Sequence, residues 1–278
     1  MSDDSLLLVG CGKMGSALLG QWLVARSWNG RVHVVDHAPT VTDPMKASSG
    51  ISYYETLDAV KNVNPKAIFL AVKPQMMTET LPIYKSRFGD TPLYISIAAG
   101  LTLSFYEQYL GSAARIIRVM PNTPVIVGMG ISALIANKQT RPDDKHFVDA
   151  LFTSVGETLW LDTESLMDPV TAISGSGPAY VFYFMECLIA AAIDAGFDEE
   201  TAKKLVVHTV HGASQLAISS KEPLIDLRRN VTSPGGTTEA ALAHLMNPSG
   251  MLRLIQEAVQ LAIHRATQLS VAAKKQQG

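Results

Sequence analysis

The chain has 278 residues, 47% of them apolar and 17% charged, with a formal net charge of -2. That apolar share excludes a disordered chain, and the near-balanced charge leaves no basic stripe for a nucleic-acid backbone. Cys11 and Cys187 are the only cysteines, which excludes a disulfide framework or a cysteine-based zinc site and fits a reducing, cytoplasmic compartment.

Two acids, Asp3 and Asp4, precede a short apolar run that ends at Gly10; a secretion signal is not expected from such a start. From Ser5 to Asp162, β-type runs alternate with helical ones. The runs are "LLLVG" (6–10), "RVHVVD" (31–36), "KAIFLAV" (66–72), "PLYISI" (92–97), "ARIIRVM" (114–120), "GISALIA" (130–136) and "GETLWL" (156–161). Continuous Val, Ile and Leu bounded by Gly, Pro or Asp predict buried parallel strands with helices on both faces. The first of those helices is "KMGSALLGQWLVAR" (13–26). This is the pattern of an α/β protein with a Rossmann-type doubly wound sheet.

After Thr163 the strands stop. "PAYVFYFMECLIAAAIDA" (178–195) is the most membrane-like stretch, but Glu186 and Asp194 interrupt it, and a bilayer core needs about 20 apolar residues. It predicts a helix buried on nearly all sides and no membrane partner. "DEETAKKLVVHTVHGASQLAISS" (198–220) opens with acids suited to a helix N-terminus. "TTEAALAHLMN" and "GMLRLIQEAVQLAIHRATQLSVAAKK" complete an all-helical second half, and "KKQQG" reads as a frayed tail. A helical half this small, with one helix apolar all round, predicts burial against a second copy: a homodimer or a higher oligomer of dimers. The expected division is residues 1–163 for the sheet and 164–278 for a helical dimerisation half.

"GCGKMG" (10–15) matches G-x-G-x-x-G where a strand hands over to a helix, the context of a dinucleotide site. Gly10 permits the tight turn, Gly12 the approach of a pyrophosphate, and Gly15 close packing of helix on strand. Lys13 and Met14 fill the variable positions, and the helix start supplies N–H groups for the diphosphate. Asp36 stands 21 residues beyond Gly15, where an acid accepts hydrogen bonds from the adenosine ribose and favours NADH; a plain turn residue is the alternative. Further loops follow strands at the same edge: "AVKPQ" with Ala71, Val72, Lys73 and Pro74, "SIAAG" with Ala98 and Ala99, and "MPNTP" with Asn122. Their small residues suit a long cofactor lying across the sheet edge, although Lys73 alone reads equally as a solvated lysine.

"VTSPGGTTEAAL" (231–242) breaks a helical region with a proline and two glycines, and no His, Cys or Lys stands beside it. Pro234, Gly235 and Gly236 predict a sharp turn into a helix starting near Thr237. N–H groups of Gly236, Thr237 and Thr238 would then form a nest suited to a carboxylate, with Ser233 adding a hydroxyl. An ordinary N-cap by Thr237 or Ser233 is the competing reading.

"GCGKMGSAL", "AVKPQ", "SIAAG", "RVMPNTP", "SGSGPAY" and "LRRNVTSPGGTTEAAL" occur in the order found in pyrroline-5-carboxylate reductases, and the chain resembles that family over its whole length. The resemblance implies reduction of Δ1-pyrroline-5-carboxylate, a cyclic imine carboxylate, to L-proline by NADPH or NADH. It implies a substrate site from Val231, Ser233, Gly235, Gly236, Thr237 and Thr238, with the Thr238 hydroxyl on the ring nitrogen. It also implies that two subunits share each site. An imine needs no strong protein acid, because the resulting amine takes its proton readily.

Two departures leave the coenzyme open. Thr56 stands where the family commonly has Asn at the adenosine ribose, and Asp36 replaces the Ser or Arg-containing ends of NADPH-preferring members. A β-hydroxyacid dehydrogenase would need a lysine on the first long helix of the second half, but Ser176–Phe197 contains none; Lys203 and Lys204 come later. A nucleotide-sensing protein would need no intact loop at 233–238. His208 and His211 lack a carboxylate partner in sequence, so no metal is expected.

Overall fold

The computed structural model describes residues 4–275, with side chains over 4–268. The expected frayed tail at "KKQQG" therefore lies largely outside the described residues.

Eight strands form one sheet: β1 (Ser5–Val9), β2 (Arg31–Val35), β3 (Ile51–Tyr54), β4 (Ala67–Leu70), β5 (Leu93–Ser96), β6 (Arg115–Met120), β7 (Gly130–Ala136) and β8 (Gly156–Trp160). Their order is β3-β2-β1-β4-β5-β6-β7-β8, so the strand order reverses between β1 and β4, where doubly wound sheets open a crevice. All pairs through β6 are parallel. The expectation of parallel strands fails at β7, which runs antiparallel to β6, while β8 runs parallel to β7. The nine residues from Pro121 to Met129 explain the reversal, since a parallel return needs a crossover of a dozen or more. β3 is absent from the predicted strands: it is short and at the sheet edge, and no residue in it is fully buried.

In β1 every residue is buried, as expected for a strand covered on both faces. Alternate residues serve opposite sides. Leu6 and Leu8 join Leu18, Trp22, Phe69 and Phe152 in one core layer, while Leu7 and Val9 join Ile68, Leu81, Tyr94 and Tyr106 in the other. Trp22 packs edge-on against Phe69 and Phe152, with centroids 5.1 and 6.0 Å away. The helices of this region are α1 (Lys13–Val24), α2 (Asp43–Ala47), α3 (Met77–Phe88), α4 (Leu103–Leu110) and α5 (Pro142–Thr153).

Beyond the sheet come α6 (Met167–Val170), a π-helical turn at Thr171–Gly175, α7 (Gly177–Asp194), α8 (Glu199–Ser219), α9 (Leu224–Asn230), α10 (Thr237–Leu245) and α11 (Met251–Lys275). The chain divides into two compact units. One runs through Ser176 and includes the chain from Ala262; the other is Gly177–Leu261. Within the second unit, α7 packs on α8, yet α7 holds no buried residue. The expected burial on nearly all sides is therefore not achieved within one chain: Phe182 and Tyr183 are 56% and 67% exposed. The helical run Glu164–Asp194 is long and apolar enough to span a bilayer by length and composition alone.

Candidate active site

The glycine loop closes against the end of β4. Gly10 has φ +88°, and a Cβ there would fall 2.8 Å from the Val72 backbone nitrogen and 2.9 Å from the Ala71 carbonyl. A Cβ at Gly15 would fall 2.7 Å from the Gly10 carbonyl oxygen, so α1 approaches the turn as closely as a hydrogen side chain permits. Gly12 is the N-cap of α1 and makes no side-chain cap. A Cβ there would meet nothing within 4 Å, leaving its backbone open to a ligand. The first N–H groups of α1 have no intrahelical acceptor and carry the positive end of the helix dipole. These residues fit a diphosphate.

Beside this loop lies a cleft of about 490 Å³ lined by Val9, Gly10, Gly12, Val35, Asp36, His37, Glu55, Leu57, Ala71, Val72, Lys73, Met76, Glu79, Thr80, Ile83 and Tyr84. It gathers the carboxyl ends of β1, β2 and β4, the edge at which such sheets bind ligands. A larger cleft of about 630 Å³, lined by Ser5, Arg31, His33 and Lys61 among others, lies by the amino ends of β1 and β2, away from the glycine loop. Sequence reasoning missed the wall from Met76 to Tyr84. Its members recur at positions 76, 79, 80, 83 and 84, a helical spacing that marks one face of α3 and its lead-in turn.

Asp36 is fixed at both oxygens. Its Oδ2 accepts from the Cys11 N–H at 2.6 Å and its Oδ1 from the Ala38 N–H at 2.8 Å. Burial, together with the nearby Asp36 charge, pushes the Cys11 thiol up to about 12, so Cys11 stays neutral near pH 7.

Other predicted residues do not line this cleft. Lys13 is exposed at the start of α1, and Met14 packs on the core. Thr56 is exposed between Glu55 and Leu57, and Pro74 heads a 3-10 turn behind Lys73. Ala98 is buried, and its N–H donates to Ser96 Oγ at 3.2 Å. That hydroxyl also meets Tyr106 Oη at 2.5 Å. Burial raises the Tyr106 phenol to about 12, with Ser96 and Arg118 opposing the shift. Arg118, itself 7% exposed, pairs with Glu164, whose Oε1 also accepts the Leu103 N–H at 2.6 Å. The Ala98–Ala99 loop thus rests on a buried polar network. Asn122 is spent within the fold: its amide donates to the Ser174 carbonyl at 3.2 Å and its Oδ1 accepts from the Ile131 N–H at 2.9 Å.

The second predicted cluster begins α10. Gly235 has φ +71°, a left-handed conformation glycine adopts without strain, and its N–H donates to Glu239 Oε2 at 2.7 Å. The N-cap is Gly236, with no side-chain cap, so neither Thr237 nor Ser233 caps the helix. The Gly236 N–H is taken by the Ser233 carbonyl at 3.0 Å, a departure from the expected three-donor nest. Thr237 and Thr238 occupy the first positions of α10, where N–H groups have no intrahelical acceptor. Ser233 and Thr237 are exposed, Thr238 is half-buried, and Val231, at the end of α9, is 64% exposed. Among the described residues, no cluster of three or more His, Cys, Asp or Glu side chains could hold a metal.

Sheet order, glycine loop and carboxyl-end cleft define a dinucleotide-binding protein of Rossmann type with a helical second half. A family model described as pyrroline-5-carboxylate reductase dimerisation matches residues 164–269, and one described as NADP oxidoreductase coenzyme F420-dependent matches residues 5–100. The pyrroline-5-carboxylate reductase of Pasteurella multocida is 35% identical over 275 residues, covering 97% of this chain and 98% of the relative. The structure of a pyrroline-5-carboxylate reductase from Coxiella burnetii superposes with a TM-score of 0.87 at 32% identity, covering 97% of this chain and 99% of that one. A pyrroline carboxylate reductase from Plasmodium falciparum, solved with NADP bound, gives 0.84 at 32% identity with the same coverage. The chain belongs to the pyrroline-5-carboxylate reductase family.

Proposed function

We propose that the chain catalyses the last step of proline biosynthesis, reduction of Δ1-pyrroline-5-carboxylate to L-proline with NADPH or NADH. The observation that carries this reading is the uncapped start of α10, where the left-handed Gly235 turns the chain so that Thr237 and Thr238 head the helix. Their N–H groups, at the positive end of the helix dipole, suit the substrate carboxylate, and Ser233 adds a hydroxyl beside them. Val231, Gly235 and Gly236 shape that pocket. The Thr238 hydroxyl hydrogen-bonds the ring nitrogen and orients the imine.

When bound, the nicotinamide supplies a hydride to the imine carbon. The C=N π electrons pass to nitrogen, whose proton is carried in by an already protonated imine or taken from water, so no protein acid such as a lysine or histidine is required. The chain's part is alignment and exclusion of water. Gly10, Gly12, Lys13, Met14 and Gly15 form the diphosphate loop, and Asp36 and Thr56 lie towards the adenosine ribose. Ala71, Val72 and Lys73 line the cofactor's cleft, Pro74, Ala98 and Ala99 shape the loops along its path, and Asn122 holds the adjoining loop. The residues 164–278 act as the dimerisation and substrate-binding half, and the apolar surface of α7 meets a second copy rather than lipid or nucleic acid. The enzyme works in the cytoplasm as a homodimer or an oligomer of dimers.

The test follows absorbance at the reduced-nicotinamide band with pyrroline-5-carboxylate and each coenzyme. Oxidation is expected, and Thr238→Ala should lower kcat/KM about 10- to 100-fold, the loss of a hydrogen bond worth about 1–3 kcal/mol. Thr238→Ser should retain most activity. No oxidation by a folded protein that still binds the coenzyme would overturn the reading in favour of a nucleotide sensor.

A further inference from the structure

The end of β2 presents an acid to the cofactor cleft. Asp36 lines that cleft, with its side chain 14% exposed. The Cys11 N–H from the glycine loop holds one carboxylate oxygen and the Ala38 N–H from the following turn holds the other. Two backbone donors on separate segments fix the rotamer, and an ionised carboxylate has about four acceptor sites. Acceptor capacity therefore remains on both oxygens.

The charges around it have one prevailing sign. Asp36, Glu55 and Glu79 line the cleft, against Lys73; among the described residues no arginine lines it. His37 Nδ1 is 3.5 Å from Asp36 Oδ1, but its side chain is 86% exposed, so solvent screens whatever charge it carries. A ribose 2′-hydroxyl would donate to a carboxylate already aimed at it. A 2′-phosphate brings about two negative charges and only acceptor oxygens. To admit it, Asp36 would have to give up two backbone hydrogen bonds and turn away.

We infer, on the basis of the reductase function proposed for this site, that the enzyme uses NADH in preference to NADPH, and that Asp36 is the residue that discriminates between them. The decisive measurement is direct binding of each coenzyme to the full-length protein without substrate, by nicotinamide fluorescence, followed by the same titrations on Asp36→Ser. The wild type should bind NADH at least about tenfold more tightly than NADPH. Asp36→Ser should weaken NADH about tenfold and strengthen NADPH, closing or reversing the gap. Equal or tighter NADPH binding by the wild type overturns the inference, and needs no variant to fold. An unchanged ratio in a folded Asp36→Ser protein overturns the role of Asp36. Failure to bind either coenzyme would instead sink the reductase reading itself.

Discussion

Gly10 has no room for a methyl group, and the atoms in the way belong to backbone. Its φ of +88° already disfavours an L side chain, and the Val72 nitrogen and Ala71 carbonyl lie within 2.9 Å of an added Cβ. Gly10→Ala should cost about 1–3 kcal/mol of stability as well as coenzyme affinity. Gly12→Ala meets nothing within 4 Å and keeps an extended backbone. Its stability should move by no more than about 1 kcal/mol, while coenzyme binding falls. Chemical denaturation of both variants, with coenzyme titration alongside, checks the pair; equal destabilisation of the two would refute the division of labour. The glycine motif was legible in sequence because each role is local. The grip of Cys11 and Ala38 on Asp36 was not, since it depends on how the glycine loop and the turn after β2 meet.

At the scale of elements, α10 shows why a helical region tolerates Pro234-Gly235-Gly236: the break turns the chain and begins a new helix at Thr237. Sequence placed that helix start near Thr237, where the structure begins it, because Pro and Gly act through their own backbone limits. It left the cap undecided between Thr237 and Ser233, and the structure uses Gly236 instead. Elsewhere, the 3-10 turn Glu164–Leu166 is tied to the sheet by the Glu164 carboxylate, which serves Arg118 and the Leu103 N–H at once. Glu164→Ala would leave the Arg118 guanidinium buried without its carboxylate. Removing one partner of a buried pair costs about 3–5 kcal/mol; since the Glu164 side chain is 29% exposed, about 2–3 kcal/mol is expected. A urea midpoint within error of wild type would show that the pair contributes nothing.

For the whole molecule, the notable surface is apolar. Val181, Phe182, Tyr183, Phe184 and Leu188 on α7 are 39–67% exposed, and large apolar side chains exposed together mark an interaction surface. The dimerisation family model covers this helix, and the proposed assembly would bury these side chains against a second copy. Placing charges there, as in the double variant Phe182→Glu/Leu188→Glu, should convert the assembly to monomers of 29.9 kDa and abolish turnover. Sedimentation velocity with parallel assays checks this; a fully active monomer would refute the requirement for assembly.

Sequence by itself determined the alternating first half, the glycine loop at the end of β1, a helix with Pro178 in its first turn, another starting near Thr237, and the family. Those features rest on turn chemistry and periodicity, which act within a few residues. Only tertiary structure decided that β7 runs against β6, since an apolar run carries no direction and the short return from Pro121 to Met129 sets it. It likewise decided that Ile51–Tyr54 adds an edge strand, that Asp36 is clamped by two backbone donors, and that α7 keeps its apolar surface outward in a single chain. Each of these depends on which distant segments become neighbours, and pairing at a distance is not written in any local run of residues.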